Sequence, residues 1–267
     1  MHLQKGSWTR RYFLHLGVGF VFPIAASPVI RCVKQNSLIM AMQQASSAAT
    51  GRLQARPLQP IESGSPGLHP LNLAGQRDGL LYVPTSYRAN QPVPLLVMLH
   101  GAGGDAEGGL RIVRQLADDF KTMVLAVDSR DRTWDVIVGR YGPDIAFIDQ
   151  ALAQTFTRYA IDPNQVAIGG FSDGASYALS VGITNGDLFG HILAFSPGFM
   201  APAAQVGEPH IFISHGQKDR VLPIDRCSRR IVPQLKRAGY DVLYQEFDGP
   251  HTVPAAIARE GMTWFTK

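Results

Sequence analysis

The chain has 267 residues, 45% of them hydrophobic and 17% charged, with 27 Gly, 18 Pro and only 2 Cys. That is enough apolar material for one sizeable core or two small ones, and it excludes a disordered chain, a disulfide scaffold and a collagen-like repeat. The formal charge of +4 is concentrated at the start, where Lys5, Arg10, Arg11, Arg31, Lys34, Arg52 and Arg56 all precede the first acidic residue, Glu62. The rest is slightly acidic, so net charge gives no ground for a nucleic-acid partner.

The first thirty residues run from a polar, basic start ending in Thr9-Arg10-Arg11-Tyr12-Phe13-Leu14 into a mostly apolar stretch that reaches Ile30. This is the layout of an export leader rather than of a core helix. The paired arginines before Phe13-Leu14 resemble a twin-arginine signal, which implies the twin-arginine machinery as a partner in transit and a periplasmic or secreted destination. A membrane anchor and a later start at Met40 or Met42 are the competing readings. Cleavage fits two small-residue sites, Ala25-Ala26-Ser27 and Ala45-Ser46-Ser47-Ala48, and Cys32 lacks a lipoprotein context because Arg31 precedes it. Leader and linker are expected over residues 1–50. No second apolar stretch of roughly 18 residues follows.

Pro57, Pro60, Gly64, Pro66, Gly67 and Pro70 then predict an irregular lead-in. Short apolar runs predict strands over 79–84, 94–100, 122–128, 165–170, 192–195, 211–214 and 243–247. Between and after them, periodic stretches predict helices over 107–120, 143–159, 174–183, 225–238 and 253–265. Continuous apolar strands separated by amphipathic helices imply an α/β fold, a mostly parallel central sheet with helices on both faces, in one domain over 51–267. The short link between the strands at Ile192 and Ile211 leaves no room for a lid domain.

The sharpest motif is Gly170-Phe171-Ser172-Asp173-Gly174, a G-x-S-x-G placed after one expected strand and before a helix. Its glycines permit a turn tight enough to hold a serine oxygen out in a strained, exposed position. A serine hydroxyl at neutral pH needs a base, and the base needs an orienting group. His251 and Asp219 each follow a later strand, which gives the chain order Ser, Asp, His expected downstream of such an elbow. Of the other histidines, His2 and His15 fall in the leader and His69, His191 and His210 fall away from the relevant strand ends. His100 and His215 each precede a glycine and read as hydrogen-bonding turn residues. Asp225 is expected to cap the following helix, and Asp248 is too near His251 in sequence to orient it easily.

A tetrahedral oxyanion requires preorganised N–H donors. His100-Gly101-Ala102-Gly103-Gly104-Asp105 follows the central strand, and the amides of Ala102 and Asp173 are the expected donors, with Gly103 the near alternative to Ala102. The same stretch lacks the G-K-[ST] of a P-loop and the spacing of a dinucleotide site, and no histidine or cysteine grouping has metal-ligand spacing. No cofactor and no metal are expected.

Together, HGAGGD, GFSDGAS, HGQKDRVLP and GPHTVP resemble the α/β-hydrolase superfamily, above all its small lidless carboxylesterase, phospholipase and depolymerase-type branch. The resemblance covers roughly residues 51–267. It implies a serine esterase acting on a small-molecule or polymeric ester through an acyl-enzyme. Ser172 would attack, His251 would serve as base then acid, Asp219 would orient the imidazole, and the amides of Ala102 and Asp173 would hold the oxyanion. Trp134, in the charged loop Asp128 to Asp135, is a candidate wall of the substrate cleft; a solvated loop pinned by ion pairs is the other reading. Phe199 and Met200 are weaker cleft candidates. Arg226, Arg229, Arg230, Lys236 and Arg237 read as the solvated face of one helix.

Overall fold

The computed structural model describes residues 46–62 and 64–267, so the expected leader lies, up to residue 45, outside the described residues. Among the described residues, eight strands form one sheet in the order β1-β2-β4-β3-β5-β6-β7-β8. They are β1 (Gly67–Pro70), β2 (Gly79–Val83), β3 (Val93–Leu99), β4 (Met123–Val127), β5 (Ile161–Phe171), β6 (His191–Phe195), β7 (His210–Gly216) and β8 (Val242–Phe247). β1 and β2 pair antiparallel at one edge, and every pairing from β4 to β8 is parallel. Parallel strands need helical crossovers, and the helices bury both faces of the sheet, which is why β4 is buried throughout.

Alternation along β3 shows the two faces directly. Leu95, Val97 and Leu99 join Ile145, Ile148, Leu152 and Phe156 of α4 (Pro143–Arg158), Ala178 of α5 (Asp173–Thr184) and Leu235 of α6 (Ser228–Arg237). Leu96 and Met98 face the other way, toward Leu110 of α1 (Ala106–Arg111), Leu116 of α2 (Arg114–Ala117) and Met262 and Phe265 of α7 (Ala255–Phe265). A further short helix, α3 (Asp135–Val138), precedes α4. This is the three-layer α/β-hydrolase sandwich, and the β6–β7 link carries no lid.

Several expectations change in detail. The single helix expected over 107–120 is two, broken where Val113 leaves helical geometry (φ −125°, ψ −6°). Gly108 and Gly109 weaken the first helix, and a side chain at Gly109 would crowd the Met98 carbonyl oxygen at 3.2 Å. β1 lies within the Pro/Gly-rich lead-in, where four residues give too short a pattern to read. Asp225 does not cap a helix. It sits in a 3₁₀ turn (Ile224–Arg226) and pairs with Arg229 at 2.7 Å, while α6 starts at Ser228 with no side-chain cap.

The folded body also takes in residues assigned to the linker. A helical turn at residues 46–49 carries buried Ala48, and Leu53 beyond it is fully buried. The strap that follows is held by polar groups of the body. Asn185 Oδ1 accepts from the Leu53 amide at 2.9 Å, and its Nδ2 donates to the Gly51 carbonyl at 2.8 Å. Asp149 Oδ1 accepts from the Gln54 and Ala55 amides, and Arg52 and Arg56 both pair with Asp187.

Candidate active site

In a parallel sheet the reactive crevice forms outside the carboxyl ends of the strands where their order reverses. Here β4 lies on one side of β3 and β5 on the other, and the loops after β3 and β5 meet there. Ser172, directly after β5, has φ 58° and ψ −120°, a left-handed conformation that non-glycine residues hold only where their surroundings enforce it. The enforcement is visible. The Ser172 amide donates to the Phe195 carbonyl at 3.0 Å, and its own carbonyl accepts from Ala175 and Ser176 in the first turn of α5. A Cβ on Gly174 would overlap the carbonyl oxygens of Leu99 and His100, so the elbow closes only with glycine there.

The hydroxyl so presented meets His251 Nε2 at 2.9 Å, and His251 Nδ1 lies 2.5 Å from Asp219 Oδ2. A carboxylate only accepts, so Nδ1 carries the imidazole proton and the bare Nε2 faces the serine hydroxyl. The Phe171 ring lies against the His251 ring at 4.6 Å between centroids. Asp219 is buried, and its Oδ1 accepts from the amides of Val221 and Leu222 at 2.8 Å each. Three side chains expected to converge therefore do so in space.

The glycine-rich loop after β3 reaches the same point, since a Cβ on Gly101 would stand 3.4 Å from that of Ser172. Gly103 gives its amide to the Arg132 carbonyl at 2.7 Å. Among the described residues, neither the Ala102 nor the Asp173 amide has an acceptor in the fold, which favours Ala102 over Gly103 as the free donor. His100 stiffens this loop as a turn residue. Its Nδ1 bonds the Gly101 carbonyl at 2.7 Å and its Nε2 accepts from the Ser129 amide at 3.0 Å, and burial lowers its pKa.

Trp134 departs from its expected place. It is fully buried, donates from Nε1 to the His100 carbonyl at 2.9 Å and stacks on Tyr177 at 5.0 Å, so it supports the glycine-rich loop from beneath and walls no cleft. Its loop is pinned by reciprocal carboxylates. The Asp135 amide donates to Asp144 Oδ2 at 2.6 Å and the Asp144 amide to Asp135 Oδ2 at 3.0 Å, with Tyr177 donating to Asp135 Oδ1 at 2.9 Å. Burial raises both carboxyls, Asp144 to about 6. Thr133 in the same loop donates to Asp173 Oδ2 at 2.6 Å.

The β6–β7 link carrying Phe199 and Met200 lies along α5 on a ladder of hydroxyls. Ser176, Ser180 and Thr184, four residues apart and so on one helix face, accept from the amides of Gly198, Ala201 and Ala203. Sequence reasoning missed this ladder, although its four-residue spacing was there to read. It also missed that His215 approaches Asp219, a contact that three intervening positions around a glycine turn make available.

Sheet order, layering and elbow together are those of the α/β-hydrolase fold, which the chain shares with solved esterase structures. Residues 144–256 match a family model described as phospholipase/carboxylesterase. A probable feruloyl esterase C of Aspergillus flavus is 26% identical over 171 residues, which are 60% of this chain and 60% of that protein, and its Aspergillus oryzae counterpart is 27% identical over the same shares. The chain thus spans about 60% of the length of the curated relatives it matches. Among solved structures, esterase PE8 superposes with a TM-score of 0.58 at 23% identity, covering 70% of this chain and 96% of that one. A CE1 ferulic acid esterase from Anaeromyces mucronatus, in complex with ferulic acid, gives 0.58 at 17% identity, covering 79% and 93%.

Proposed function

We propose that this chain is an exported serine esterase that cleaves carboxylic esters through an acyl-enzyme, and that its substrates are esters of compact aromatic acids. The observation that carries the reading is the continuous relay from Ser172 through His251 to Asp219, set on a strained elbow. Ser172 Oγ attacks the ester carbonyl while His251 Nε2 takes its proton. Asp219 holds the tautomer and stabilises the imidazolium, and the Ala102 and Asp173 amides receive the oxyanion. Collapse expels the alcohol, protonated by His251, and water activated by the same nitrogen releases the acid. The names of the Aspergillus and Anaeromyces proteins support an aromatic, hydroxycinnamoyl-type acid, and the lidless link supports short acyl chains over long ones. The leader layout supports export, with the twin-arginine machinery as partner in transit.

A fluorophosphonate probe should label the purified body, and the Ser172→Ala variant should take no label. In a panel of aryl esters, hydroxycinnamoyl and short-chain acyl esters should be the better substrates; strong preference for long chains, or hydrolysis of peptides alone, would overturn the assignment.

A further inference from the structure

His215 is fully buried at the end of β7, and both its ring nitrogens are engaged. Nε2 lies 2.8 Å from the Leu222 carbonyl, which can only accept, so the proton sits on Nε2. Nδ1 is then a bare acceptor for the Ser228 hydroxyl at 2.7 Å, at the start of α6. The same Nε2 stands 3.2 Å from Asp219 Oδ2, the oxygen that also faces His251. Leu222 is linked to Asp219 a second way, because its amide donates to Asp219 Oδ1 at 2.8 Å. The titratable groups acting on this ring are Asp219 from its own loop and His251 from the loop after β8. Burial lowers the pKa of His215, which favours the neutral ring as a donor.

We propose that His215 is a positioning residue for the triad carboxylate, its Nε2–H shared between the Leu222 carbonyl and Asp219 Oδ2, so that Asp219 is fixed under His251 and part of its negative charge is drawn away from it. This rests on the serine-esterase reading for its catalytic meaning. A glutamine at 215 can place an amide N–H where Nε2 stands and an oxygen toward Ser228; leucine can do neither, and asparagine is too short to reach Leu222.

The test compares His215→Leu, His215→Gln and wild type, with His215→Asn replacing leucine should that variant fail to fold. In the proton NMR spectrum, the His251 Nδ1 proton should move further downfield in His215→Leu as Asp219 Oδ2 becomes the stronger acceptor, and should return toward wild type in His215→Gln. In ester hydrolysis, kcat should fall about tenfold with KM nearly unchanged, as expected for loss of one hydrogen bond to a charged group. The acid limb of kcat/KM should shift to higher pH, because a fuller charge on Asp219 favours the imidazolium. Glutamine should restore both. An unmoved Nδ1 resonance in a folded leucine or asparagine variant, or equal losses in the glutamine and leucine variants, would overturn the proposal. The resonance needs no turnover, so it decides the role of His215 even if the wild-type protein takes no fluorophosphonate label and hydrolyses no ester.

Discussion

Asp219 and the pair Asp135 and Asp144 are buried carboxylates above the same end of the sheet, and they serve opposite ends. Two backbone amides hold one oxygen of Asp219, while its other oxygen faces two imidazoles. The pair is held by backbone amides and one phenol. None of those donors takes up a positive charge when a carboxyl ionises. Burial keeps both above the ordinary range, and the charge of Asp135 pushes Asp144 up further. An imidazole that can become an imidazolium turns a buried carboxylate into a chemical partner. Without one, the same group is a staple for a loop.

That contrast can be broken by exchanging charge for amide at each place. Asp219→Asn should lower kcat by about 10³ to 10⁴, the effect of losing the correct tautomer in such a triad, and an esterase assay showing less than a tenfold loss would erase the distinction. Asp144→Asn should instead cost about 1–3 kcal/mol in urea unfolding, because its new NH₂ faces donors, while kcat per folded molecule stays near wild type.

The pH dependence of stability sharpens the comparison further. A carboxyl raised in the folded state holds its proton longer there than in the unfolded chain, so Asp144 lowers stability as pH climbs from about 4 toward 6. The lowered His100, His191 and His215 act oppositely, since the folded state binds their protons less readily and stability falls as pH drops below about 6.5. The two contributions oppose each other in the wild type. In Asp144→Asn, denaturation midpoints should therefore rise more steeply with pH across that window. The smallest effect belongs to Tyr177→Phe, which removes the phenol donor from Asp135. It should cost about 1 kcal/mol and tilt the same plot the other way, as Asp135 moves further up.

The parts of the site legible in the sequence are those announced by backbone constraint. Ser172, His251, Asp219 and the Ala102 loop each follow a strand end and are marked by glycines at a turn, so chain order and local chemistry sufficed. The strands from β2 to β8 were legible for a related reason, being long apolar runs bounded by breakers. Trp134 was misread because an aromatic ring beside charged residues looks exposed until His100 and Tyr177 close around it. Asp135 and Asp144 are nine positions apart and meet only once α3 and α4 are placed. β1 is set by pairing with β2 rather than by its own residues.

The strap at residues 51–56 also bears on where the chain can be shortened. Its backbone satisfies a buried asparagine and a buried carboxylate, so a chain cut inside it would strip Asn185 and Asp149 of these partners. Ala48, just ahead of the strap, is buried in the finished body and out of a peptidase's reach. The body thereby fastens its own first residues from within, and a truncation that reaches into the strap should lower its stability.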